Sequence, residues 1–177
     1  SDQAARYLQL HYTVPHAEFA DAIAVDDAGD GSAWSAAHVK FHDYFRAMTE
    51  RLDYEDVLLI DLSGTVVYSA FKGIDLGTNI IEGPYRYTHL GEAFVETISE
   101  NILDGVTITD FGDYAPSLGV PAGWAMTPVS RDGVIVGVMA VELPVDRLSA
   151  VMTANGDWSQ GGLGLTGEVY LVGPDLL

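Results

Sequence analysis

The amino-acid sequence predicts an α+β domain: one five-stranded antiparallel sheet with long N-terminal helices on one face and a loop-and-helix segment over the other. Three observations carry this. The hydrophobic period changes from helical three- and four-residue steps to short β-branched runs after residue 52. Neighbouring runs are joined by tight turns, which makes them antiparallel. The run Val134-Ile135-Val136-Gly137-Val138-Met139-Ala140-Val141 is apolar at both parities, whereas a strand with one wet face alternates. Both faces of the sheet must therefore be covered.

The elements follow in order. Gln3 to Ile23 is helical in character, with Pro15 as a kink or break. An acidic, glycine-bearing loop, Asp26 to Ser32, leads into a second helix. Ala37, Phe41, Tyr44, Phe45, Met48 and Leu52 form its apolar stripe, and Ser32 or Ser35 caps it. Strands are expected at 57–62 and 65–71, hinged on Ser63-Gly64. Lys72 to Pro84 is an irregular loop. Leu90 to Ile102 is a helix that Gly105 ends. Three more strands, 106–110, 123–129 and 134–143, complete the sheet, with Arg131-Asp132-Gly133 turning between the last two. Val145 to Met152 is a short helix. A glycine-rich linker then leads to Gly167–Gly173, which reads either as the first strand of a following module or as an added edge strand.

This gives three regions: an N-terminal helical region 1–53, a sheet-bearing module 54–153, and a linker with its strand 154–177. The net charge of -18 repels phosphate backbones and anionic lipid heads, so neither nucleic acid nor a lipid surface is an expected partner. With no cysteine, disulfides, thiolate zinc sites and cysteine nucleophiles are excluded. No apolar run approaches the roughly 20 residues of a membrane span.

Five segments, at 54–69, 72–79, 110–117, 135–144 and 166–173, resemble in that order parts of the Cache sensor domains of bacterial cyclases and chemotaxis receptors. Tyr54 to Ser69 (YEDVLLIDLSGTVVYS) is similar to their opening hairpin, and Lys72 to Asn79 (KGIDLGTN) to the loop after it. Asp110 to Ser117 (DFGDYAPS), Ile135 to Pro144 (IVGVMAVELP) and Thr166 to Gly173 (TGEVYLVG) look like the later strands and the entry to a second module. The resemblance implies a PAS-like fold and the extracytoplasmic part of a cell-membrane receptor. It also implies a transmembrane helix before residue 1, and small-molecule sensing coupled to a cytoplasmic output such as a nucleotide cyclase or a chemotaxis signalling domain. A homodimer through the N-terminal helix is an expected partner. The alternative is a structural or dimerisation module with no small ligand of its own. Amino-acid-binding double Cache domains carry an Arg-x-Trp-Tyr run; here Arg86 is followed by Tyr87-Thr88-His89, so that motif is not matched.

Enzyme constellations do not assemble. The chain has no G-x-S-x-G elbow, Walker loop or H-E-x-x-H pattern, so no catalytic residue and no cofactor is expected. His38 and His42, four apart on a helix, could share a face and bind a metal, but a half-exposed helix face is the commoner arrangement and no metal is assigned. The ligand pocket is expected between the sheet and the segment from Lys72 to Leu90. Tyr85, Arg86 and Tyr87 offer flat aromatic faces and a guanidinium fork. Asp110, at a strand end, could hold an amine; Tyr114 follows it, Trp124 and Met126 share one strand face, and Lys72 opens the covering segment. Glu142, on the face of Val138 and Ala140, either points to solvent or pairs with Lys72, Arg86 or a ligand amine. Such a site suits a small organic acid, amine or zwitterion.

Overall fold

The computed structural model describes residues 2–15 and 19–155. It divides into two compact units, residues 1–143 and 144–177. The second is described through its helix α5 (Val145–Met152) as far as Asn155; the strand expected at Gly167–Gly173 lies outside the described residues.

The first unit opens with α1 (Asp2–Leu8), which runs into a π-helical turn at Gln9–Thr13 before the break at Pro15. Helix α2 (Phe19–Ile23) is short. Helix α3 (Ala33–Leu52) starts at Ser32, whose hydroxyl accepts the Ser35 amide at 3.0 Å, and stops at Asp53 in the left-handed conformation. The sheet is β1 (Val57–Asp61), β2 (Val66–Ser69), β3 (Thr107–Ile108), β4 (Trp124–Arg131) and β5 (Val134–Glu142), with every pairing antiparallel and the order β2-β1-β5-β4-β3. The Asp61 carboxylate takes the amides of Ser63 and Thr65, and Gly64 supplies the positive φ that closes this hairpin. Helix α4 (His89–Glu100) is capped by Thr88 and ended by Asn101 at φ 51°, four residues before the glycine expected to end it.

The sheet has two covered faces, as the two-sided β5 requires. One carries Val57, Leu59, Ala125, Met139 and Val141 beneath Phe45 and Met48 of α3. The other carries Leu58, Ile60, Trp124, Met126, Val138 and Ala140 beneath Ile80, Tyr85, Leu90 and Phe94 of the covering segment. The cover runs from Gly137 to the strand's end, where β1 pairs with β5; Val134 and Val136 extend beyond it, 65% and 46% exposed.

Between Leu59 and Ile60 the β1–β2 register shifts: Leu59 faces Tyr68 and Ile60 faces Val66, with Val67 bulged out between them. Without that extra residue Val66 and Tyr68 would share a face. With it, Val66 joins the core under the covering segment and Tyr68 joins the core under α3.

Helix α3 corrects the sequence reading. Of the expected stripe, Phe45 and Met48 pack on the sheet, but Phe41, Tyr44 and Leu52 are exposed. The buried face is polar: Ser35, His38, His42 and Thr49. Ser35, His38 Nδ1 and His42 find hydrogen-bond partners in the N-terminal segment and Thr49 bonds back to the Arg46 carbonyl, leaving His38 Nε2 without one, so burial does not require this face to be apolar.

Candidate functional site

Trp124 and Glu142 are cross-strand partners, so their side chains stand together on the face under the covering segment. Tyr114, at the start of a 3-10 turn (Ala115–Ser117), lays its ring edge-on to Trp124, with centroids 5.2 Å apart, and 5.4 Å from Tyr85. Its hydroxyl donates to Asp75 Oδ2 at 2.7 Å. The Ser117 hydroxyl donates to Glu142 Oε1 at 2.5 Å. Asp75 comes from the loop after β2. Its own backbone carbonyl accepts the amide and hydroxyl of Thr78, which turns the side chain inward.

Asp75 is 2% exposed, and its second oxygen, Oδ1, has no hydrogen-bond partner. A Cβ on Gly73 would come within 2.8 Å of that oxygen, so a side chain there would displace the Asp75 carboxylate. Among the described residues no Lys or Arg is paired with Asp75 or Glu142; Arg46, for one, pairs with Asp26 and Asp43. The energetics follow. Burial raises the Asp75 carboxyl, with the Tyr114 hydroxyl and the backbone amides of Asp75 and Leu76 opposing. Burial, opposed by Ser117 and reinforced by Asp75, pushes Glu142 up to about 7. Nearby Asp56 is pushed up to about 8 by burial and by the field of Asp75, although Ser69 Oγ and the amides of Val57 and Phe71 all donate to it. Burial and the same carboxylate raise the Tyr114 hydroxyl well above its usual range. The centre is therefore acidic, aromatic and short of positive charge.

Of the residues expected at the site, the structure brings together Tyr85, Tyr114, Trp124 and Met126 in one core. It does not bring Arg86, Tyr87, Asp110 or Lys72 there. Arg86 turns outward, its guanidinium 4.3 Å over the Tyr87 ring and bonded to the Gly83 carbonyl; Tyr87 is 80% exposed. Both lie in a turn of the covering segment whose inward position Tyr85 takes. Asp110 is exposed and caps the Phe111 amide, while its carbonyl faces His89 Nδ1, beside an open groove of about 180 Å³. Glu142 pairs with neither Lys72 nor Arg86; it is buried on Ser117. Asp75 was missed. Its signal is a lone carboxylate between Ile74 and Leu76 in a stretch that has to cover a sheet.

Lys72 reaches the other way. It is 1% exposed, and its Nζ lies 2.9 Å from the Ala22 carbonyl, 3.1 Å from His42 Nε2 and 3.4 Å from the Ala70 carbonyl. His42 Nε2 is also 2.6 Å from the Ile23 carbonyl, and His42 Nδ1 is 2.8 Å from the Tyr68 hydroxyl. His38 stacks between Trp34 and His42 with Nδ1 on the Asp26 carbonyl. The pair expected to be half exposed is thus a buried polar seam, and no group of three metal-ligating side chains occurs among the described residues.

The loop carrying Asp75 is fastened to the N-terminal segment. Gln9 donates to the carbonyls of Ile74 and Leu76, and Thr13 to that of Lys72. Gly77, at φ +79°, lets α1 approach: a Cβ there would sit 2.5 Å from Ala5 Cα.

No family model matches the chain. No curated protein matches it either. Solved structures do. The sensor domain of the Vibrio cholerae histidine kinase DctB matches with a TM-score of 0.50 and 22% identity, over 87% of this chain and 51% of that one. The chain has the Cache-type, PAS-like sensor fold. The Campylobacter jejuni chemoreceptor Tlp3 ligand-binding domain, solved with 4-methylisoleucine, superposes at a TM-score of 0.49 and 12% identity, over 86% of this chain and 61% of that one. This Cache-fold chain spans about half the length of the DctB domain. Among the described residues no helix is long and apolar enough to cross a membrane.

Proposed function

We propose that this chain is the extracytoplasmic sensing domain of a transmembrane signalling receptor, and that it binds a small organic ammonium compound, an amine or a zwitterion, at Asp75. The observation that carries this is the buried Asp75 carboxylate with one oxygen unpartnered, set against Tyr85, Tyr114 and Trp124. A buried carboxylate without a cation is costly. A ligand ammonium would supply the missing donor and charge, and aromatic faces suit its organic part. The organic acids also expected from the sequence fit less well, because Arg86 is turned away and the centre holds three raised carboxyls.

The centre is closed, so entry requires the covering segment to move, as lids do. Because Gln9 and Thr13 are bonded to that same segment, its movement is transmitted to the N-terminal helices, and so toward a membrane and a cytoplasmic output. The exposed stripe of α3, Phe41, Tyr44 and Leu52, supports a homodimer through that helix. The fold shared with the DctB sensor domain supports the receptor reading. The domain itself carries no assigned catalysis.

A thermal-shift panel of amines, zwitterions and simple carboxylic acids tests the site. Ammonium compounds raise Tm, and Asp75→Asn, which keeps an acceptor for Tyr114, abolishes the shift without unfolding the domain. A full shift in Asp75→Asn, or shifts by carboxylic acids alone, would remove the assignment.

A further inference from the structure

The polar seam under α3 contains two hydrogen bonds that cannot coexist. A neutral imidazole carries one N–H. His42 Nε2 must donate to hold the Ile23 carbonyl at 2.6 Å, and must accept if the Lys72 ammonium, 3.1 Å away, donates to it. Two arrangements resolve the conflict. In one, Lys72 is a neutral amine whose two N–H groups go to the Ala22 and Ala70 carbonyls, His42 Nε2–H donates to Ile23, and Nδ1 accepts from Tyr68. In the other, Lys72 is an ammonium with three donors for three acceptors: Ala22, Ala70 and His42 Nε2. His42 then carries its proton on Nδ1 and donates to the Tyr68 oxygen, and the Ile23 carbonyl loses its close donor.

We propose that Lys72 and His42 form a proton-operated latch in which the bond from His42 of α3 to the Ile23 carbonyl at the end of α2 is made in one state and lost in the other, while Ala22 stays bonded to Lys72 and Asp26 to α3 in both. The step balances: Lys72 Nζ takes one proton from solvent, and His42 exchanges its own from Nε2 to Nδ1. What is released is the bond to Ile23, which retains only a long contact of 3.5 Å from Arg46. The end of α2 is thus held less closely to α3 while Ala22 and Asp26 keep their partners.

The setting places the transition near neutrality. Burial brings the Lys72 ammonium down to about 7, with Arg46 pushing the same way and Asp56 and Asp26 opposing. Burial also lowers His42, opposed by the Ile23 carbonyl and Asp26 and reinforced by Lys72 and Arg46, which favours the neutral ring. His38, lowered to about 4 mainly by burial, and Tyr68, raised far above its usual range, hold neutral forms throughout. The latch is therefore closed at alkaline pH and opens as the pH falls through neutrality.

The latch is a property of the fold and needs no ligand, so its test is separate from that of the Asp75 site. Nitrogen-15 NMR of the His42 ring from pH 5.5 to 9 reads the tautomer directly. The protonated nitrogen is expected to change from Nε2 to Nδ1 on acidification, with the midpoint of the Lys72 Cε resonance. One tautomer throughout, or a Lys72 that stays charged up to pH 9, would overturn the latch. In Lys72→Met the ring is expected to keep Nε2–H until it protonates itself; a persistent switch there would equally overturn it. Should that variant not fold, the wild-type titration decides alone.

Discussion

The two faces of the sheet both bury polar side chains, and they treat them in opposite ways. Under α3, His38, His42 and Lys72 bond to main-chain carbonyls of Asp26, Ile23 and Ala22, so each polar group ties the N-terminal segment to the core. Under the covering segment, Asp75 and Glu142 meet only one hydroxyl each, from Tyr114 and Ser117. The first face uses polar groups as fasteners. The second leaves carboxyl groups without a counterion, so burial raises them, and a bound cation is what would favour their charged forms. Core polarity alone does not mark a site; an unmatched charge does.

The largest test of this contrast is Trp124→Ala. Trp124 is 1% exposed and walls the acidic centre, so truncation should cost about 3–5 kcal/mol in urea denaturation. A loss below about 1 kcal/mol would mean that the face under the covering segment is not a packed core. A smaller effect separates the faces by pH. Glu142 is raised to about 7, above its free value of ~4.3. The folded state then holds its proton longer, so this contribution to stability is full below pH ~4.3 and is lost as the pH rises through about 7. Lys72, lowered to about 7, does the reverse: its contribution is full above pH ~10.4 and is lost as the pH falls through about 7. Glu142→Gln should flatten the decline between pH ~4.3 and about 7 by on the order of 1 kcal/mol, measured as urea midpoints across pH. An unchanged profile would mean that Glu142 is not the group held protonated. The smallest effect belongs to Arg86→Ala. Exposed and stacked only on Tyr87, it should change stability by less than about 0.5 kcal/mol and leave any ligand-induced shift in Tm intact. A lost shift would return Arg86 to the site.

The sheet was legible because its evidence is local. Both parities of Val138 to Val141 are apolar, and Ser63-Gly64 and Asp132-Gly133 are turn residues wherever they occur. The aromatic half of the centre was legible for the same reason: Trp124 and Met126 lie two apart on one strand. The charged half was not. Arg86 looks like a ligand fork in sequence, but its direction is set by the turn from Gly83, and Asp75 acquires its importance only when the loop folds inward. In α3, periodicity favoured Phe41 and Tyr44 for burial, because hydropathy does not register that His38 and His42 meet backbone carbonyls contributed by residues about 12–19 positions earlier.

The bulged residue in β2 sets how this domain can change over time. Strand side chains alternate with a period of two, so one added residue exchanges every neighbour beyond it. Val67 is that residue, and it lets a four-residue strand serve both compartments at once. Point substitutions at this solvent-facing position alter little. Its deletion would send Tyr68 away from His42 and move Ser69 off Asp56, disconnecting both buried networks in a single step. Sequence drift at this position is cheap while a change in length is not, so descendants of this chain should vary in the identity of residue 67 and keep the spacing between Asp61 and Ser69.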